Sequence, residues 1–112
     1  MIQRAHAPSA GLWSIPGGRC LPGESGRDAC VREVAEETGL QVRVLRMTGL
    51  VEIDGQQARY QVEDYLCEVV RGQLRAGDDA DQAQWVSYAE LLALPTAPGL
   101  VDALRDWNVL PD

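Results

Sequence analysis

The stretch GRCLPGESGRDACVREVAEETGL, residues 18–40, decides how this chain is read. From Ser25 onward it favours a helix: Ser25 can cap the N-terminus, Asp28 puts an acid in the first turn, and Gly39 supplies a left-handed stop. At about 100° per residue, Val31, Val34, Ala35 and Thr38 fall on one arc and Glu33, Glu36 and Glu37 on roughly the opposite one. Glutamates at this spacing repel each other by a few tenths of a kcal/mol per pair, so the cluster needs a cause. Arg32, four residues before Glu36, offsets part of it. A solvated acidic face is the plain alternative. Carboxylate oxygens, however, suit a hard cation such as Mg2+ or Mn2+, and the flanking residues favour a divalent-metal cradle.

Those flanks lie immediately upstream. Residues 12–15, LWSI, read as a short strand running into Pro16-Gly17-Gly18, where two glycines let the backbone come close to a metal or phosphate. The loop 19–23 then returns the chain to Glu24 at the mouth of the helix, where the helix dipole favours a carboxylate.

The run also fits G-x5-E-x7-R-E-U-x-E-E-x-G-U, with U aliphatic, at every specified position. A chance match is roughly a one-in-a-billion event per starting position at ordinary residue usage. On this motif the chain resembles the Nudix hydrolases, and the outer pieces QRAHAP, GLWSIPGG and DDADQAQWVSYAELLALPTAPGL look like the MutT-like, ADP-ribose pyrophosphatase-like subgroup. The resemblance implies an α/β (α+β) Nudix fold, a mixed β-sheet sandwiched between α-helices, spanning residues 1–112 as one domain. It implies that the Gly17 carbonyl and the carboxylates of Glu33, Glu36 and Glu37 hold Mg2+, with Mn2+ as a possible substitute, and that Glu24 and Arg32 orient them.

The activity implied is metal-dependent hydrolysis of a nucleoside diphosphate linked to another group, with ADP-ribose cleaved to AMP and ribose 5-phosphate as the leading case. Nucleoside triphosphates, including oxidised ones, are the alternative substrates, and a nucleotide-binding module without turnover is the alternative class. An acid must accept the attacking water's proton. The resemblance leaves it a glutamate of the motif or an acid on a loop outside it; among the loop candidates Asp78, Asp79 and Asp81, spacing back from Trp85 selects Asp79, with a solvated turn as the competing reading. Arg4 is the candidate phosphate contact, Ile15 or Trp13 a base contact, and Gly18 a further substrate contact; an ion pair and core packing are the simpler roles of the first three.

Composition sets bounds. With 112 residues the chain suffices for one domain, and 46% hydrophobic with 24% charged residues is ordinary for a globular one. No apolar run approaches a membrane span and no signal peptide is evident, so a cytoplasmic protein is expected. A net charge of −7 argues against nucleic acid duplexes as partners and fits a site that needs cations to receive an anionic nucleotide. Cys20, Cys30 and Cys67 form no C-x-x-C pair and are expected to be free thiols, the last two packing inside. The lone His6 is expected at the surface.

Downstream, 41–46 alternates and 47–53 is largely apolar, predicting one strand or a bent pair that ends at the turn Asp54-Gly55. A second strand is expected over 58–70, a turn at Arg71-Gly72-Gln73, and a short returning strand at 84–86. Ser87 can cap a helix through Leu92 with Glu90 closing a capping box, and residues 99–107 make a last amphipathic helix. The resemblance further implies a strand and turn ahead of Gln3-Arg4, so that a sheet edge is left open here, to be filled from upstream, by a partner chain or by local rebuilding. A homodimer, possibly strand-swapped, is expected on that ground.

Overall fold

A computed structural model describes residues 1–7, 9–54 and 59–112. Eight elements follow one another: β1 (Ile2–Arg4), β2 (Trp13–Ser14), α1 (Gly26–Thr38), β3 (Leu40–Asp54), β4 (Arg59–Gly72), β5 (Ala80–Ala83), α2 (Tyr88–Ala93) and α3 (Leu100–Asp106). The architecture is α+β.

The helix α1 forms as its ends dictate. The Ser25 hydroxyl accepts the Asp28 N–H at 3.1 Å, and Gly39 closes the helix at φ 74° while donating to the Ala35 carbonyl. A cap of this kind is worth about 1 kcal/mol. Thr38 then stitches the helix to the next strand: its hydroxyl donates to the Val34 carbonyl at 2.6 Å and accepts the Leu40 N–H at 3.2 Å. The helix packs on the long antiparallel ribbon β3–β4, which is irregular in register near Val42, Leu45 and Thr48. The residues 41–46 and 47–53 therefore make one strand with bulges rather than two strands. The expected turn at Asp54-Gly55 and the start of the next strand at Ala58 lie at least partly outside the described residues.

A second, three-stranded sheet has the order β2-β1-β5, so β1 is hydrogen-bonded along both of its edges. Every named strand pair is antiparallel; the parallel component is the bridge between Trp13 and Thr96, where the Trp13 N–H donates to Pro95 and the Trp13 carbonyl accepts from Ala97. One sequence expectation moves here. The returning strand is Ala80–Ala83, not 84–86, and Trp85 is 66% exposed. Pairing with β1 fixes that register, and an aromatic side chain just past it carries no weight against backbone hydrogen bonds.

Ser87 and Glu90 form the expected reciprocal capping box on α2. The short α3 buries Leu104, and Trp107 at its end lies against Gly49, where any Cβ would collide with the indole. Ile2, Trp13, Ala29, Val34, Leu40, Leu91 and Leu104 are the buried apolar side chains among the described residues. Among the described residues, no helix is long and apolar enough to cross a membrane.

Candidate active site

Two carboxylates of α1 and one loop carboxylate line a single cavity. Its volume is about 330 Å3, and its wall comprises Ile2, Arg4, His6, Ala7, Gly17, Gly18, Arg19, Glu33, Glu37 and Asp79. The first seven come from the N-terminal arm and the glycine turn, the last three from α1 and the loop ahead of β5.

Glu37 is the member of the acidic arc that the fold buries. It is buried, only 6% exposed, and its Oε2 accepts the Gly17 N–H at 2.9 Å. Packing against the glycine turn excludes water from this end of the arc, while Glu36 on the same arc stays exposed. Burial, foremost, pushes the Glu37 carboxyl up to about 7, the Gly17 hydrogen bond opposes this, and the charges of Glu33 and Asp79 add to it while Arg4 counters.

Glu33 sits against Gly18. A Cβ built on that glycine would lie 2.5 to 2.7 Å from the Glu33 carboxyl carbon and oxygens, so only glycine lets this carboxylate reach the turn. Beside it, Arg32 works as a distributor. Its Nε and Nη2 grip Glu24 through two bonds of 2.9 Å, its Nη1 donates to Glu33 at 2.8 Å and to Glu36 at 3.2 Å, and its Nη2 also reaches the Arg19 carbonyl. The Arg32 hydrogen bond, then the Leu21 N–H, hold the Glu24 carboxyl below its usual range, and Glu24 drives the guanidinium further up.

The Asp79 side of the cavity hangs on the helix itself. The N–H groups of Arg75, Gly77 and Asp78 donate to the carbonyls of Thr38, Glu37 and Glu36 at 2.9, 2.8 and 3.0 Å, satisfying the orphan acceptors at the helix end. Gly77 has no room for a side chain, because a Cβ there would fall on the Glu36 carbonyl. The next turn places Asp79 at φ 61°, a left-handed conformation that Asp tolerates, and the Ala5 N–H donates to its carbonyl at 3.1 Å. His6, expected to be a plain surface residue, is exposed but lines the cavity, with Nε2 3.3 Å from Asp79 Oδ1.

Of the residues expected at the site, Gly17, Gly18, Glu33, Glu37, Asp79 and Arg4 line this cavity; Glu24, Arg32 and Glu36 form the network beside it; Ile15 is not part of the lining. His6, Arg19 and Gly77 were missed. Their contacts are long-range in sequence, and the only local signal was the glycine before an acidic run.

The donor set fits a hard divalent cation in its chemistry. Burial and the neighbouring Glu33 charge disfavour the charged form of Glu37, and a cation beside it relieves both costs. Among the described residues, no three His, Cys, Asp or Glu side chains already converge as a preassembled ion-binding group. Arg32 holds Glu33 and Glu36 in the structure as it stands.

An acidic helix facing a cationic arm across a small cavity is the class of site this fold presents. The NUDIX domain description matches residues 1–107, and the chain belongs to the Nudix family. Over 93 residues it is 36% identical to a Methanocaldococcus jannaschii protein named ADP-ribose pyrophosphatase, covering 81% of this chain and 55% of that one. It is 37% identical over 109 residues to a Mycobacterium tuberculosis protein provisionally named 8-oxo-dGTP diphosphatase 2, covering 96% of this chain and 74% of that one. The crystal structure of a MutT protein from Methanosarcina mazei superposes with a TM-score of 0.80 at 24% identity, over 96% of this chain and 80% of that chain. The chain thus spans little more than half the length of the archaeal relative.

Proposed function

We propose that this chain hydrolyses the pyrophosphate bond of a nucleoside diphosphate linked to a second group, with ADP-ribose as substrate and AMP and ribose 5-phosphate as products. The observation that carries this reading is the single cavity shared by Glu33, Glu37 and Asp79 on one wall and Arg4 and Arg19 on the other. Anionic phosphates suit the cationic wall. The name of the archaeal relative, at 36% identity, supports the choice of ADP-ribose.

Divalent cations, Mg2+ or in its place Mn2+, held by Glu33, Glu36, Glu37 and the Gly17 carbonyl, would neutralise phosphate charge and acidify a bound water. Arg32, anchored by Glu24, keeps Glu33 and Glu36 aimed in one direction. Arg4 pairs with a phosphate oxygen, and the backbone at Gly18 lets the substrate approach closely. Asp79, through a carboxylate oxygen, accepts the proton of the attacking water, and His6 at 3.3 Å fixes the orientation of that carboxylate.

A second reading, hydrolysis of nucleoside triphosphates including oxidised ones, is favoured by the mycobacterial relative, which this chain matches over 96% of its length. Product analysis separates the two. ADP-ribose should yield AMP and ribose 5-phosphate with Mg2+, and Glu37→Gln should lower kcat/KM at least about 100-fold without loss of fold. Faster release of pyrophosphate from triphosphates selects the second reading. A folded chain that binds nucleotide and leaves every substrate intact would establish a binding module instead. We also infer a cytoplasmic homodimer, supported by the exposed Leu45, Met47 and Leu50 on the ribbon. A monomer by light scattering at assay concentration sinks that part alone.

A further inference from the structure

Cys30 and Cys67 are 37 residues apart in sequence, one on the helix that carries the glutamates and the other on β4, yet their sulfurs lie 3.8 Å apart. Both are free thiols and both are half-buried, so solvent reaches them, whereas the third cysteine, Cys20, stands exposed on the loop before α1. A disulfide needs the sulfurs at about 2.05 Å, so a closure of under 2 Å joins them. Cys67 Sγ also contacts the Tyr65 carbonyl at 3.9 Å.

We propose that Cys30 and Cys67 form a dithiol site that reacts with hydroperoxides and closes to a disulfide, cross-linking the glutamate-bearing helix to β4. The Cys30 thiolate attacks one peroxide oxygen; the O–O bond breaks, Cys30 becomes a sulfenic acid, and the other oxygen leaves as an alcohol or water after taking a proton. The Cys67 sulfur, giving up its proton, then attacks the Cys30 sulfur and displaces hydroxide as a second water. Two thiols lose two electrons and the peroxide gains them.

The order of attack follows from the contact. The contact with Cys67 holds the Cys30 thiol down to about 7 against the opposing effects of burial and the nearby Asp64 charge. The same contact, with burial, pushes the Cys67 thiol up. Cys30 is thus the sulfur that meets the oxidant and Cys67 the one that resolves it.

The inference stands apart from any hydrolase activity, and its test reads sulfur rather than turnover. The reduced full-length chain is treated with hydrogen peroxide, digested without reductant and mapped by mass spectrometry. The expected result is a peptide pair joined through Cys30 and Cys67, lighter by two hydrogens and separated by reductant, with Cys20 still titrating as a free thiol. In Cys67→Ser the sulfenic acid should be trapped at Cys30 by dimedone, while Cys20→Ser should cross-link at the wild-type rate. Linkage through Cys20, cross-links between chains only, or oxidation of Cys30 to the sulfinic acid without cross-link in the wild-type chain overturns the proposal. The wild-type map alone decides it, so the outcome does not depend on any variant folding.

Discussion

Glu37 is the glutamate of its cluster that folding removes from water, and its titration is a direct report on the site. Its carboxyl is raised from 4.5 to about 7, chiefly by burial. For an acid raised on folding, the favourable protonated form is fully present below the unfolded value and is lost as pH rises through the folded one. The metal-free protein should therefore be less stable at pH 8 than at pH 5, by no more than about 3 kcal/mol from this group. Asp64, raised by burial, acts in the same direction. Urea titrations in chelator should show a shallower pH slope for Glu37→Gln than for wild type; equal slopes would show that Glu37 is not the group responsible. Metal affinity has the opposite trend, because the ion competes with a proton on Glu37: binding should tighten from pH 6 to pH 8 by calorimetry. At Gly18 the sensitivity is geometric. Gly18→Ala pushes a methyl into the Glu33 carboxylate, a flexible group that can swing aside, so the fold should survive. Turnover should still fall by about tenfold or more, since displacement of one positioned group by an ångström costs that much. Unchanged kcat with a cooperative melt would remove Glu33 from the role given to it.

At the scale of elements, the ends of helices were legible and the register of short strands was not. Ser25, Gly39 and the Ser87–Glu90 box announce themselves through local hydrogen-bond chemistry, and each is found where the residues put it. β5 is four residues long, and its position is set by pairing with β1, almost eighty residues upstream. Nothing in the run DDADQAQW distinguishes Ala80 from Gln84 as its start. The segment 75–78 shows what such non-local contact accomplishes. Gly77→Ala must move either the loop or the Glu36 carbonyl. A loss of about 1 to 3 kcal/mol is expected, the range for backbone collisions in a packed turn. Activity should drop further than the folded fraction does, because Asp79 travels with the loop. Parallel loss of activity and folded protein would mean that the loop only stabilises.

For the whole molecule, the core and the site are separable. Leu91 is 1% exposed on α2 and does not line the cavity. Leu91→Ala should cost about 2 to 5 kcal/mol through the void it leaves, with the metal affinity of the remaining folded protein unchanged. A weakened ion site in that variant would show the two to be coupled. The sequence motif carried the family and most of the cavity's carboxylates, since residues 17–37 are close along the chain. On the opposite wall it did not single out Arg19, beside Gly18 in the motif, or His6, which joins by folding alone.

The loop amides that hang on the Glu36, Glu37 and Thr38 carbonyls make Asp79 and the glutamates parts of one rigid jaw. The facing jaw, residues 2–19, meets it through the Ala5 N–H on the Asp79 carbonyl and the Gly17 N–H on the Glu37 carboxylate. Substitutions along that second jaw away from Gly17 and Gly18 should reshape what the cavity admits and leave the helix-to-loop hydrogen bonds of the first in place.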